Sequence, residues 1–183
     1  LARIMAPILS FTAEEVWQHL PAFPGKTDSV HLTDFPASNP DQINEALAGR
    51  WKNFRTVRDE VLKALELARQ KKVIGNSLEA KLVVIADGDP QGLLESFGDS
   101  VRELLQVSQF EWGTDVPTES YWKSDQFPSF FLLVEHADGK KCARCWSWST
   151  TVGMLSDDVP SLSRDHPDLC ERCKRVIKNE IKN

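Results

Sequence analysis

The residues of this sequence that could do chemistry are its four cysteines, Cys142, Cys145, Cys170 and Cys173. They form two CxxC motifs that are separated by 24 residues. A CxxC turn can point two sulfurs at one ion, so two such turns supply the four thiolates of a closed tetrahedral zinc site. A closed site leaves no position for an activated water. The cysteines therefore predict one structural Zn²⁺ and no catalytic metal.

Two other interpretations of the cysteines stay open. A rubredoxin-like iron site would use the same four sulfurs, whereas thiol chemistry would make them disulfides or a redox pair. Disulfides are typical of small secreted domains, and a redox CxxC motif would not need a second copy. The sequence shows no signal peptide and no apolar run of the ~20 residues that span a bilayer. We therefore expect a cytoplasmic protein without a membrane partner, and we favour zinc.

Basic and aromatic residues surround both motifs and suggest a contact surface for nucleic acid. Arginine and lysine can contact phosphates, and an indole can stack on an unpaired base of single-stranded RNA. The candidates are Arg144, Trp146, Arg172, Lys174 and Arg175. Trp146 could instead pack against the metal turn as part of a miniature core, and the sequence leaves both interpretations open.

The charge of the chain is unevenly distributed. The formal net charge is −5, but residues 50–72 carry +5 and residues 171–183 carry +3, which leaves −13 for the remainder. Two basic segments on an acidic protein can form an electrostatic footprint for phosphates. Ordinary solvated helix faces would carry the same charges, so charge alone does not decide between the two interpretations.

The sequence before the cysteine motifs begins with predicted helices. Thr12, with Glu15 three residues later, predicts a capped helix start. A proline-rich connection follows, and Asn39 with Pro40 predicts the start of a second helix. Apolar residues at steps of three and four then predict one long helix to about Lys72, with its apolar stripe in the core. That stripe is Leu47, Trp51, Phe54, Val57, Val61, Ala64 and Ala68.

The residue pattern changes after the long helix. Residues 80–86, 107–112 and 129–137 are apolar or β-rich and predict strands, and residues 91–106 predict helix. The predicted fold class is α+β. We expect a helical region over residues 1–75, a mixed α/β region over residues 76–136, and a four-cysteine zinc-finger lobe over residues 137–183.

Catalytic signatures are missing from the sequence. It contains no P-loop, GxGxxG, GxSxG or HExxH motif, and its serines, histidines and carboxylates show no spacing typical of a triad or an acid–base pair. We therefore assign no catalytic and no cofactor-binding residue, and we expect no reaction from this chain unaided. The opening LARIMAPIL lacks an initiating Met, which suggests the C-terminal piece of a longer protein.

Three stretches resemble one family of enzymes. LARIMAPILSFTAEEVWQHLP resembles the helical anticodon-binding domain of class I aminoacyl-tRNA synthetases of the isoleucine, valine and leucine group. VRDEVLKALELARQKKVIGNSLEAKLVV narrows the resemblance to bacterial isoleucyl-tRNA synthetases, and KCARCW with HPDLCERC is similar to the C-terminal zinc finger of that family. The resemblance covers essentially the whole chain.

The resemblance implies a tRNA-binding C-terminal region of an isoleucine-tRNA ligase. Its partners would be the anticodon stem-loop of tRNA(Ile) and the catalytic domain of the same polypeptide, with a monomer as the expected state. ATP and Mg²⁺ would bind only that catalytic domain, which is absent here together with the editing domain, so the fragment should be inactive alone. The segment between the two CxxC motifs departs from many relatives because it is longer and more acidic.

Two other function classes remain as alternatives. A zinc-finger DNA-binding module of the glycosylase type also ends in a four-cysteine finger, although the helical half of this chain argues against it. A protein-interaction scaffold would use zinc only to stabilise its fold.

Overall fold

The computed structural model describes residues 1–114, 118–154 and 165–180, except for the side chains of residues 179 and 180. The chain divides into two compact units, Leu1–Glu45 and Ala46–Asn183. Within the described residues, no helix combines the length and the apolar character that a bilayer crossing requires.

The first unit has a short helix α1 (Ala2–Met5), a helix α2 (Ser10–His19) and two 3-10 turns (Val30–Leu32 and Pro40–Gln42). Its buried core is small and contains Ala2, Ala6, Ala13, Trp17 and Val30. The Trp17 indole Nε1 donates to the Thr27 carbonyl at 2.8 Å and so ties the proline-rich connection to α2.

Both predicted helix starts in this part of the chain were wrong by a few residues. Helix α2 begins at Ser10 and has no side-chain cap, because the Leu9 carbonyl already accepts the Ala13 N–H and Thr12 lies inside the first turn. The Asn39 side chain does accept a hydrogen bond from the Asp41 N–H at 3.0 Å, but it caps only a 3-10 turn.

The long helix α3 (Glu45–Gln70) has 26 residues and carries the predicted apolar stripe. Phe54, Val57, Val61, Ala64 and Ala68 are buried as expected. The first two residues of the stripe are a correction: Leu47 is 46% exposed and Trp51 is 37% exposed.

The sheet has four strands in the order β2-β1-β4-β3: β1 (Ala80–Ile85), β2 (Gln109–Trp112), β3 (Trp122–Lys123) and β4 (Phe131–His136). Strand β1 pairs in parallel with β2 and antiparallel with β4, and β4 pairs antiparallel with β3. A parallel pair needs a crossover, and helices α4 (Asp89–Glu95) and α5 (Val101–Leu104) provide it. The sequence predicted strands β1, β2 and β4 but not the two-residue β3. It predicted one helix over residues 91–106, where the structure has two short helices separated by a 3-10 turn at Gly98–Ser100.

One apolar core joins the sheet to α3. Strand β1 alternates in burial, with Ala80, Leu82 and Val84 inside, and these residues cluster with the buried face of α3 and with Leu94 and Val101 of the crossover. The predicted α+β class is confirmed. The apolar stripe of α3 therefore packs against the sheet. The boundaries of the three predicted regions, at residues 75 and 136, stay predictions.

The C-terminal lobe follows β4. It contains a short antiparallel hairpin of β5 (Lys140–Lys141) and β6 (Trp148–Ser149), and a helix α6 (Glu171–Glu180). The first CxxC motif lies in the hairpin turn, and the second begins immediately before α6.

Candidate metal centre

The four cysteine sulfurs converge on one point. All four Sγ atoms lie within 4.8 Å of one another, and the Cys145 and Cys170 sulfurs are 3.8 Å apart. A Zn–S bond of about 2.3 Å in a tetrahedron places neighbouring sulfurs about 3.8 Å apart. None of the four cysteines forms a disulfide. The residues therefore fit a single tetrahedral ion held by four sulfurs.

Backbone hydrogen bonds shape the first turn. The Cys142 N–H donates to the Ser147 carbonyl at 3.0 Å, and the Trp146 N–H donates back to the Cys142 carbonyl at 2.9 Å. Trp146 has a φ of 65°, which lies in the left-handed region that a bulky side chain rarely adopts. The tight turn brings both sulfurs of the first motif to the same side.

The second motif uses the start of a helix. Cys170 directly precedes α6 and Cys173 lies in its first turn. The Cys170 N–H donates to the Cys142 sulfur at 3.3 Å, and the Ala143 N–H donates to the Asp168 carbonyl at 3.1 Å. These two contacts link the motifs across the centre.

The thiols differ in acidity. Burial raises the pKa of each thiol, but hydrogen bonds outweigh burial at the first turn. Those to Cys142 come from backbone N–H groups, whereas Cys145 has one from the Ser147 N–H and others from neighbouring side chains. The pKa of Cys142 is lowered and that of Cys145 falls to about 6. Burial dominates at the second motif, where the pKa of Cys170 rises to about 12 and that of Cys173 is also raised.

The described part of the lobe has a small buried cluster, and Trp146 is not part of it. The cluster contains Cys142, Val152, Leu169, Cys170 and Cys173. Trp146 is 61% exposed, and the Lys141 ammonium lies 5.5 Å from its ring centroid. The interpretation of Trp146 as a miniature core residue was wrong.

The predicted basic candidates differ in exposure and in their partners. Arg144 is exposed in the first turn, and Arg172 and Arg175 lie exposed on α6. Arg172 pairs with Glu103 at 2.6 Å and Arg175 pairs with Glu171 at 2.7 Å. Lys174 is a correction to the candidate surface: it is only 1% exposed, and its Nζ donates to the Met154 carbonyl at 3.0 Å.

Sequence reasoning missed two charged residues beside the centre. Lys141 lies over Trp146, and its position next to the first CxxC motif was a usable signal. Glu103 comes from α5, 69 residues before its partner Arg172, and local sequence gave no signal for that pair.

Comparisons with known proteins find tRNA ligases. The family model described as the anticodon-binding domain of tRNA ligase matches residues 1–84. The isoleucine–tRNA ligase of Geobacillus thermodenitrificans is 37% identical over 177 residues, which are 97% of this chain and 18% of the relative. That of Natranaerobius thermophilus is 36% identical over 187 residues, covering 100% of this chain and 19% of the relative.

A third relative gives the same result. The isoleucine–tRNA ligase of Bacillus mycoides is 36% identical over 181 residues, covering 97% of this chain and 18% of the relative. The chain thus spans about a fifth of the length of the curated relatives it matches. Over the part of those relatives that it spans, the chain is similar to isoleucine–tRNA ligases along nearly its whole length.

Proposed function

We propose that this chain is the tRNA-binding C-terminal region of an isoleucine–tRNA ligase and that it recognises the anticodon arm of tRNA(Ile). The match of residues 1–84 to an anticodon-binding domain and the names of the relatives support the proposal. Aminoacylation with ATP and Mg²⁺ belongs to a catalytic domain of the parent polypeptide. This region would contribute by holding the anticodon arm. The free energy of that contact would help to orient the acceptor end of the tRNA at the distant active site.

Zinc has a structural role in this proposal. Cys142, Cys145, Cys170 and Cys173 would hold the ion, and four protein sulfurs leave no open coordination position. Bound there, an ion would add folding free energy to a lobe whose described buried cluster has only five residues. Its effect on RNA is indirect, because it fixes the turn that presents Arg144 and Trp146.

The conformation of Trp146 is the observation that carries the proposed RNA contact. A bulky residue at φ 65° is strained by roughly 1–3 kcal/mol, and 61% exposure of an indole forgoes most of its burial. The φ belongs to the metal-binding turn, whereas the exposed indole adds little to the buried cluster of the lobe. The indole presents a flat aromatic surface on which an unpaired base could stack, and loops of RNA are read by such stacking.

Charges next to Trp146 favour an anionic partner. Lys141 lies over one side of the indole and Arg144 precedes Cys145 in the same turn. A base that stacks on Trp146 would bring its phosphates near these cations. Arg172 and Arg175 are already paired with carboxylates, so a phosphate there would replace one anion by another, and we expect smaller contributions from them.

The proposal places the protein in the cytoplasm as a monomer. Four unbonded cysteines within 4.8 Å of one another suit a reducing compartment, because an oxidising one would favour disulfides.

The test compares Trp146→Ala with Trp112→Ala, which removes a 39% exposed tryptophan of β2 outside the lobe. Filter binding to tRNA(Ile) should weaken by about 1–3 kcal/mol for Trp146→Ala, with zinc content unchanged, because one stacked base is lost. Trp112→Ala should bind like the parent chain.

Two further ligands complete this experiment. A tRNA(Ile) with an altered anticodon should bind more weakly than the native tRNA, and duplex DNA should bind weakest of the three. Equal binding of both tRNAs would contradict anticodon recognition. A preference for duplex DNA would support the glycosylase-type alternative, and no nucleic-acid binding at all would support a scaffold.

A further inference from the structure

A cavity of about 810 Å³ is lined by the N-terminal half of α3 and by α4, and all of its lining residues precede the cysteine lobe. Sites for small ligands usually have volumes of about 300–1,000 Å³. Gly88 follows the carboxyl end of β1 and forms part of the wall, and ligands of α/β units commonly bind beyond that end of a parallel strand. The lining side chains include Arg50, Asn53, Thr56, Asp89, Leu93 and Phe127.

The guanidinium of Arg50 is held in place on one wall of the cavity. Its Nη2 donates to the Ser96 carbonyl at 2.7 Å and to the Ser96 hydroxyl at 3.0 Å, and its Cζ lies 4.1 Å from the centroid of the Phe97 ring. Its Nε is buried and has no hydrogen-bond partner within the part of the chain that the structure describes. These contacts leave part of the donor capacity of the guanidinium unused. A guanidinium fixed in this way loses little conformational freedom when it donates to a ligand.

The other polar groups of the cavity differ in hydrogen-bonding character. The Asn53 amide both donates and accepts, the Thr56 hydroxyl does the same, and the Asp89 carboxylate only accepts. A bare phosphate carries acceptors and negative charge, so Asp89 would repel it. The edge of a nucleobase carries donors and acceptors side by side and can use all of these groups.

Apolar side chains complete the walls of the cavity. Val57 is buried, Leu93 and Phe127 are partly buried, and all three line the cavity. Such surfaces suit the faces of a flat heterocycle, and contact between a base and an aromatic ring is a usual part of RNA recognition. The cavity also lies at the start of the basic segment of residues 50–72, which carries +5. The phosphate of a bound nucleotide would therefore meet a positive field.

We propose that this cavity binds one unpaired nucleobase of the RNA partner. Arg50, Asn53 and Asp89 hydrogen-bond the edge of the base, whereas Leu93 and Phe127 contact its faces. The inference rests on the proposed function for the source of the base. It gives the basic start of α3 a role in RNA binding that is separate from the metal centre.

Two helical glycines provide a blocking variant and its matched control. Gly92 of α4 lines the cavity, whereas Gly49 of α3 lies outside its lining residues. A Cβ at either position meets no atom within 4 Å, and leucine favours a helix over glycine, so Gly92→Leu and Gly49→Leu should both fold. Parent-like zinc content and urea unfolding check this. Asn53→Ala is a second variant, which removes a polar group from the wall without adding volume.

The first experiment follows NMR amide signals of the isotope-labelled chain during titration with the 5′-monophosphates of adenosine, guanosine, cytidine and uridine. At least one nucleotide should shift the signals of the Gly88 N–H and the Asn53 side-chain amide, and ribose 5-phosphate should not. The shifts should be largely lost in Gly92→Leu and kept in Gly49→Leu. No shift with any nucleotide, equal shifts with ribose 5-phosphate, or parent-like shifts in Gly92→Leu would each overturn the inference.

The second experiment measures filter binding to tRNA(Ile). Gly92→Leu should bind about 5- to 100-fold more weakly because one base contact is lost, and Asn53→Ala about two- to tenfold more weakly because one hydrogen bond is lost. Gly49→Leu should bind like the parent chain. Parent-like binding by both Gly92→Leu and Asn53→Ala would overturn the inference. A parent chain that shows the nucleotide shifts but does not bind tRNA would contradict the proposed function and still support a nucleobase site.

Discussion

The sheet region and the cysteine lobe are stabilised in different ways. Residues 46–136 share one core of sixteen buried apolar residues, drawn from α3, the sheet and the crossover. The described part of the lobe has a cluster of five buried residues, and three of these are cysteines. Apolar burial can hold the first region, whereas we expect the second to rely on the ion that its four cysteines could bind.

The two regions also treat their aromatic residues differently. Phe54 and Phe130 are 2% and 0% exposed in the sheet region, and Phe54 packs against Phe97 with ring centroids 4.9 Å apart. The lobe leaves Trp146 61% exposed. The buried cluster of the described lobe contains no aromatic side chain, and the exposed indole of Trp146 is therefore available for a partner.

Loss of the metal centre should have the largest effect, and it should unfold the lobe while the sheet region stays folded. Replacement of Cys170 by Ser removes one of four ligands, and we expect zinc binding to fall to a small fraction of the parent level. Amide exchange in α6 should become fast, while β1 keeps its protection. Chelation of zinc from the parent chain should give the same pattern. Native-like protection of α6 in both cases would mean that the lobe does not depend on metal.

A cavity in the sheet core should have the next largest effect and the opposite pattern. Leu82 of β1 is 0% exposed, and Leu82→Ala should lower the free energy of unfolding by about 2–5 kcal/mol. The control is Leu62→Ala on α3, where the side chain is 39% exposed and the expected change is within about 0.5 kcal/mol. Urea unfolding measures both. Loss of zinc from native Leu82→Ala would contradict the separate stabilisation of the lobe.

Local spacing made much of the fold and the centre predictable. The three- and four-residue steps of α3 and the apolar run of β1 report on one element each, and a CxxC motif determines how its two sulfurs can point. Convergence of the two motifs followed from chemistry, since a closed site needs four sulfurs. These inferences need no knowledge of which surfaces meet.

The errors come from contacts between distant segments. Lys174 is buried because its side of α6 packs inward, and nothing in the sequence of that helix gives its orientation. Leu47 and Trp51 continue the stripe of α3 but are partly exposed. Glu60 is an acidic residue of the long helix and is 0% exposed. Its burial was not predicted, because its partner Ser124 lies 64 residues later in the sequence.

The sheet region also buries a charged residue, Glu60, beside its apolar core. Its carboxylate accepts hydrogen bonds from the Ser124 hydroxyl, from the Asp125 N–H at 3.0 Å and from Lys63 at 2.7 Å. Burial raises the pKa of this carboxyl, but the hydrogen bonds outweigh burial and hold its pKa below 4.5. The carboxylate therefore ties the middle of α3 to the turn after β3.

Removal of this charge should have the smallest of the three effects and a distinctive pH dependence. Glu60→Gln should lower the free energy of unfolding at pH 7 by about 1–3 kcal/mol, because buried donors lose a charged acceptor. Since the folded pKa is depressed, the contribution of Glu60 is present above pH 4.5 and is lost as the pH falls through the folded value. The difference between parent and variant should therefore shrink below pH 4.5 in urea unfolding. Glu66→Gln, at a half-exposed pair with Arg69, should show little of either effect. A constant difference between parent and Glu60→Gln from pH 7 to pH 3 would mean that packing, and not the charge, stabilises this contact.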